Sequence, residues 1–310
     1  MPRVRQITNH IAMVRPISFR FNTQTAKNDF FQNKLKESPE DIQAHALIEF
    51  DGFVDLLRSK GINVHVFDDD SSQFLTPDSI FPNNWFVSLE PNHLVLCPMF
   101  AKDRRHERTK FLGELVGALG KHELQIYDMT HYEHDHRFLE GTGAMVLDRV
   151  HKKAYGCLSE RCDEGLFREF CSEFGYKAVP FHGYQTHDGK RVPIYHTNVM
   201  MGIGEKFAVV CLSAIDDPDE RKTVVDELTE SGKEIVDMSE SEIDHFAGNE
   251  IEVEGADQQR YTVMTQSTFN VLSEDQKAVI KKSSELIVGE VQTIEDVGGG
   301  SVRCMISELF

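Results

Sequence analysis

WFVSLEPNHLVLCPMFAKDRRHERTKFLGELVGALGKHELQIY, Trp85 to Tyr127, contains one complete structural unit. Two short apolar runs, Trp85–Leu89 and His93–Cys97, flank a Pro-Asn turn signal and predict paired strands. Arg105–Leu119 predicts a helix, Gly120 its stop, and Leu124–Tyr127 a third strand. The same β-β-α-β order recurs downstream. Ala144–Leu147, Lys153–Gly156, Leu166–Phe174 and Lys177–Phe181 repeat it, as do Val199–Gly202, Phe207–Leu212, Asp217–Ser231 and Glu234–Val236. Gln259–Met264, a helix over Glu274–Ser284, and strands around Leu286–Thr293 and Val302–Ile306 follow.

Upstream, strand Ala12–Arg15 is halted by Pro16. A helix over Ser38–Lys60 places Ile42, Ala46, Phe50, Phe53 and Leu57 on one face, Gly61 ends it, and Val64–Phe67 is the next strand. A unit recurring about every fifty-five residues is a fixed-period signal. Five such units predict an α/β fold closed into a pseudo-fivefold, five-bladed propeller, with short strands lining its centre and helices outside. An open doubly wound sheet is the rival, but no G-x-G-x-x-G follows the first strand and no Walker loop occurs. No linker or low-complexity tract divides the chain, so residues 1–310 are expected to form one domain.

The chain has 310 residues, 40% hydrophobic, with 33 Lys plus Arg against 51 Asp plus Glu and a formal charge of -18. That balance disfavours a nucleic-acid partner. The opening MPRVRQITNHIAMVRP has no long apolar segment, and no run of about eighteen apolar residues occurs, so neither signal peptide nor membrane partner is expected. Six scattered cysteines without a C-x-x-C pair predict reduced thiols and a cytoplasmic setting.

Candidate chemistry lies where apolar strands meet turns. GGGSVRCM, Gly298–Met305, delivers Cys304 after three glycines that leave room for a ligand; a thiolate there is a candidate nucleophile. TPDSIFPNNWF, Thr76–Phe86, holds Asp78, Asn83 and Asn84 beside the only tryptophan, although Pro and paired Asn also serve as turn formers. FLEGTG, Phe138–Gly143, places Glu140 at a strand end where a carboxylate could orient an imidazole. IYHTNVMM, Ile194–Met201, puts His196 and Asn198 on one face of an otherwise apolar strand. THYEHDHRF, Thr130–Phe138, reads as an exposed acidic loop rather than a metal site, since its histidines lack a helical frame.

These motifs together resemble the guanidine-modifying, or pentein, enzymes: arginine deiminases, dimethylargininases, amidinotransferases and succinylarginine dihydrolase. The chain is most similar to the amidinotransferase-like, citrulline-utilisation hydrolase subgroup. The resemblance runs from MVRPISFRFN (Met13–Asn22) through FPNNW, RRHER (Arg104–Arg108), LEGTG, IYHTNVMM and FAGNEIEV (Phe246–Val253) to GGGSVRCM. It implies a five-bladed α/β propeller, Cys304 as nucleophile, His196 as acid–base group and Glu140 as its partner. It also implies substrate contacts at Asn84, Asn198 and Asn22.

Where arginine deiminases carry aspartates that clamp a guanidinium, this chain has Asn84 and Asn198, with Asp78 able to supply a carboxylate. A guanidinium only donates; a neutral ureido group also offers a carbonyl that needs a donor. The expected activity is therefore a cysteine hydrolase on a ureido or guanidino amino acid, first citrulline, giving ornithine, CO₂ and ammonia. Alternatives are arginine deiminase, arginine dihydrolase or dimethylargininase, or a non-catalytic amino-acid-binding propeller. Glu140 is expected to favour protonated His196. No metal or organic cofactor is required, because the sulfur supplies the covalent step. Arg15, Arg104, Arg105, Arg108 and Arg303 are candidates for the substrate α-carboxylate.

Overall fold

The computed structural model describes residues 4–70, 74–120 and 123–310. The chain opens with β1 (His10–Arg15), the helix Pro39–Ser59 and β2 (Asn63–Asp68). Ser38 caps that helix by accepting from the Asp41 amide, Pro39 takes its first turn, and Gly61 leaves it at φ +76°. Its buried face is Ile42, Ala46, Phe50, Phe53, Val54 and Leu57, the predicted stripe plus one residue. The next unit is β3 (Phe86–Leu89), β4 (His93–Leu96), helix Arg105–Leu119 and β5 (Gln125–Asp128). Then come β6 (Met145–Asp148), β7 (Lys153–Cys157), helix Glu164–Phe174 and β8 (Lys177–Phe181).

A hairpin, β9 (Tyr184–His187) and β10 (Lys190–Pro193), interrupts the series. Its Asp188–Gly189 tip has positive φ at both residues, the pairing that two-residue hairpins require. The fourth unit is β11 (Met201–Ile203), β12 (Phe207–Val210), helix Pro218–Glu230 and β13 (Glu234–Asp237). The fifth is β14 (Ile251–Glu254), β15 (Arg260–Thr265), helix Glu274–Lys281 and β16 (Glu285–Gly289). Last comes β17 (Ser307–Glu308).

These strands form five three-stranded sheets and the separate hairpin. Every three-stranded sheet has the same plan: an antiparallel pair, then a crossover to a parallel third strand. The first sheet takes its antiparallel strand from β17, with Ala12 opposite Ser307. The leading strands meet one another: β6 lies against β11, β11 against β14, and β17 against β3. Among the described residues no helix is long and apolar enough to cross a membrane.

Three expectations are corrected. Val302–Met305 is a helical turn rather than a strand, and only Ser307–Glu308 pairs with β1. Thr197–Met200 is likewise helical, so His196 precedes a turn instead of sitting within a strand. Gln292–Gly298 is a helix where a strand was expected to reach Thr293. The turns at Thr197–Met200 and Val302–Met305 are buried throughout, and periodicity does not separate a buried turn from a buried strand.

Candidate active site

Short turns lead into the first strand of each sheet, and the candidate residues ride on them. Pro82–Asn84 precedes β3, Gly141–Ala144 precedes β6, and Thr197–Met200 precedes β11. Asn249 stands just before β14, and Val302–Met305 just before β17. Since the leading strands approach one another, residues distant in sequence meet at their ends.

His196 Nε2 lies 2.8 Å from Glu140 Oε2, with both side chains buried. Glu140 Oε1 accepts from the Phe100 amide at 2.9 Å, and Arg161 Nη1 stands 3.6 Å from Oε2. Burial alone would raise the Glu140 pKa. Arg161, the His196 hydrogen bond and Arg104 outweigh it, and the carboxyl falls to about 2. An ionised carboxylate only accepts, so Nε2 carries the imidazole proton and Nδ1 is the free base. Glu140 favours the protonated imidazole as expected, but burial outweighs it. Burial lowers the imidazole, the hydrogen bond and charge of Glu140 push it back up, Arg161 and Arg104 lower it further, and it settles at about 4.

Cys304 is buried with its Sγ 3.4 Å from Asn198 Nδ2 and 3.3 Å from Asn249 Nδ2. Burial raises its pKa, against opposing contacts led by Asn249. The resting pair is therefore a neutral thiol and a neutral imidazole. Asn249 also donates to the Asn198 carbonyl at 3.0 Å and accepts from the Arg303 amide at 3.1 Å, tying two of the turns together.

Asn84 is oriented by Arg104, whose Nη1 donates to Asn84 Oδ1 at 2.5 Å. The amide nitrogen must then point away from Arg104, and Asn84 Nδ2 is buried without a partner. A Cβ on Gly143 would overlap Asn84 Nδ2 and stand 2.9 Å from His196 Nδ1, so both groups face one narrow gap. Asp78 is buried too. Its Oδ2 accepts from Asn22 Nδ2 at 2.9 Å and Thr25 Oγ1 at 3.0 Å, whereas Oδ1 has no partner. Burial raises its pKa against the pull of Arg104.

One cavity is lined by Cys304, His196, Asn84 and Asp78, together with Asp29, Arg104, Arg161 and Tyr195. Glu140 sits behind His196, and Asn22 holds Asp78 instead of lining the cavity. Asn198 reaches it through the sulfur. Among the five arginines proposed for a carboxylate, Arg15 pairs with Asp51, Arg105 and Arg108 with Glu133, and Arg303 with Glu308. Arg104 lines the cavity but is engaged by both oxygens of Glu107, at 2.8 and 3.0 Å.

Sequence reasoning missed Asp29, Arg161, Tyr195 and Asn249. Asn249 had a signal: it precedes a strand as Asn84 precedes β3. Asp29 lies in the long connection between β1 and the first helix, and long loops inside a compact domain commonly carry function. No comparable signal marks Arg161.

A sequence profile for eukaryotic N,N dimethylarginine dimethylhydrolases matches residues 15–310. No curated protein matches the chain. The apo structure of ArgZ, an arginine dihydrolase from the ornithine–ammonia cycle in cyanobacteria, superposes with a TM-score of 0.73 at 14% identity, covering 97% of this chain and 40% of that one. The chain thus spans about two fifths of full-length ArgZ. The product-bound N-terminal domain of ArgZ gives a TM-score of 0.71 at 15% identity, with 97% of each chain covered. A dimethylarginine dimethylaminohydrolase adduct with S-methyl-L-thiocitrulline gives 0.64 at 13% identity, over 97% of this chain and 99% of that one. These likenesses show the fold, an α/β pentein fold, and the profile shows the family. The chain belongs to the N,N dimethylarginine dimethylhydrolase family, guanidine-modifying hydrolases that act on non-peptide C–N bonds.

Proposed function

We propose that this protein is a cysteine hydrolase that takes a guanidino amino acid to ornithine in the manner of an arginine dihydrolase. One observation carries the reading: the cavity holding Cys304 and His196 also presents an unpartnered carboxylate oxygen on Asp78 and an unpartnered amide nitrogen on Asn84. The oxygen suits a guanidinium, which only donates. The nitrogen suits the carbonyl of the ureido group that the first hydrolysis produces.

His196 Nδ1 takes the thiol proton as Cys304 attacks the central carbon, forming the C–S bond of a tetrahedral intermediate. The imidazolium, steadied by Glu140, returns the proton to the departing nitrogen, and ammonia leaves. Water activated by the same imidazole then adds to the amidino–sulfur adduct and breaks its C–S bond, giving the ureido product and returning the Cys304 thiol. A second round on the ureido product releases ornithine, ammonia and CO₂. Two waters are consumed in all.

A second reading confines the enzyme to citrulline. It is favoured by amides at both Asn84 and Asn198, the former with its donor unpartnered. Amino-acid analysis after incubation with arginine, citrulline and dimethylarginine separates the two. Ornithine from arginine supports the dihydrolase, and ornithine from citrulline alone supports the second reading. Citrulline accumulating without ornithine defeats both.

The proposed scaffold is one catalytic domain over residues 1–310, its five sheets arranged as the blades of a propeller. Their shared plan and the meeting of their leading strands support that arrangement. Six unbridged thiols support a reducing compartment such as the cytoplasm.

A further inference from the structure

We infer that Asn249 is a further catalytic residue, whose side-chain amide donates to the Cys304 sulfur and stabilises the thiolate that attacks the substrate. The inference rests on the nucleophile proposed above and concerns the sulfur itself, not a contact to the substrate. Asn249 is only 1% exposed and stands just ahead of β14, in a different sheet from the β17 that follows the cysteine's turn. Its amide is oriented from both ends. Oδ1 accepts from the Arg303 amide at 3.1 Å, so the nitrogen faces the other way. Nδ2 carries two protons: one is taken by the Asn198 carbonyl at 3.0 Å, and the other is directed at Cys304 Sγ at 3.3 Å. The backbone is held as well. Asn249 donates its main-chain amide to the Phe246 carbonyl at 2.8 Å, and a Cβ on Gly248 would stand 2.6 Å from the Val199 carbonyl oxygen.

The cations around the sulfur are engaged elsewhere. Arg303 directs its guanidinium to the Ile306 carbonyl and to Glu308, both at 2.9 Å. Arg104 bonds Glu107, and Arg161 bonds the Asn28 side chain. The other titratable groups lining the cavity with Cys304 are His196, Tyr195, Asp29 and Asp78, and the two carboxyls oppose a thiolate when ionised. Burial raises the thiol, and Asn249 leads the contacts that oppose it, followed by the Ser301 backbone and Asn198. When the S–H bond breaks and its proton passes to His196 Nδ1, the electron pair left on sulfur meets amide donors from two separate turns, Asn198 and Asn249. A hydrogen bond to an ionised acceptor is roughly twice as strong as one to a neutral acceptor, so these contacts favour the thiolate over the thiol.

The test is the rate of iodoacetamide labelling at Cys304 in the ligand-free protein, followed by peptide mass mapping over a pH series. Asn249→Asp keeps the size of the side chain and the acceptor for the Arg303 amide, but its carboxylate has no donor. Asn249→Ser, with a shorter donor, is the second variant should the buried acid prevent folding. Asn249→Asp should move the labelling midpoint up by about 1–2 pH units while the plateau rate at high pH is retained. Asn249→Ser should move it up by less. In the Cys304→Ser background, calorimetric affinity for arginine or citrulline should change by no more than about twofold, while kcat of the single variant falls. If the midpoint stays in place and the plateau drops, Asn249 only props the turn and the inference falls. Wild-type labelling at every pH in both variants also overturns it. Labelling needs no turnover, so a wild type that leaves arginine and citrulline intact overturns the proposed function, while the labelling profile still decides the role of Asn249.

Discussion

Burial pushes both Cys304 and His196, which line one cavity, toward their uncharged forms. Ionisation of the sulfur is therefore expected to accompany substrate binding. Cys304→Ser should lower turnover by on the order of a thousandfold or more while substrate still binds, measured by kinetics and calorimetry side by side. His196→Ala should cost about 10²–10⁴-fold in kcat, the usual span for an acid–base group. Asn84→Asp should move the ratio of arginine to citrulline kcat/KM toward the cation by roughly tenfold to a hundredfold, because a carboxylate replaces an unpartnered donor suited to a ureido carbonyl. An unchanged ratio would remove Asn84 from substrate recognition.

The short turns ahead of the leading strands are the elements that decide geometry. Gly143 lies where a side chain would strike both Asn84 and His196. Gly143→Ala should therefore displace the amide and the imidazole together, costing on the order of a hundredfold in kcat with a modest change in melting temperature. Gly300→Ala tests the nucleophile's turn separately, since its Cβ would stand 2.9 Å from the Phe81 ring. The hairpin β9–β10 was missed, although its Asp188–Gly189 pair is a recognisable hairpin turn signal. The helical character of Thr197–Met200 and Val302–Met305 was not legible, because four buried residues offer no period to read.

Across the whole molecule, the last strand closes the first sheet and holds the nucleophile's turn in place. Leu309 and Phe310 are buried at 5% and 6% exposure. A chain ending at Ile306 should lose about 3–6 kcal/mol of stability from those two side chains alone, read by urea unfolding. Charge couples to stability as well. Asp29 and Glu295 both titrate near 7 in the folded state, each raised first by burial, so the folded protein holds more protons than the unfolded chain above the normal carboxylate range. Ligand-free stability contributed by these groups is present at low pH and is lost as pH rises toward 7. Glu140 runs the opposite way: its contribution is complete above 4.5 and is lost as pH falls toward about 2.

The sequence by itself determined the repeating unit and its helices, and it singled out as candidates Cys304, His196, Asn84 and Asp78, which line one cavity, and Glu140, which bonds His196. Apolar periodicity, helix caps and glycine-bounded motifs are local signals that survive in one dimension. Only the tertiary structure decided that Asn249 and Asn198 share the sulfur, that Arg161 and Asp29 enter the cavity, and that the imidazole rests neutral. Those facts depend on which groups are brought together and how far water is excluded. A charge buried beside its partner behaves according to desolvation and distance, and neither quantity is written along the chain.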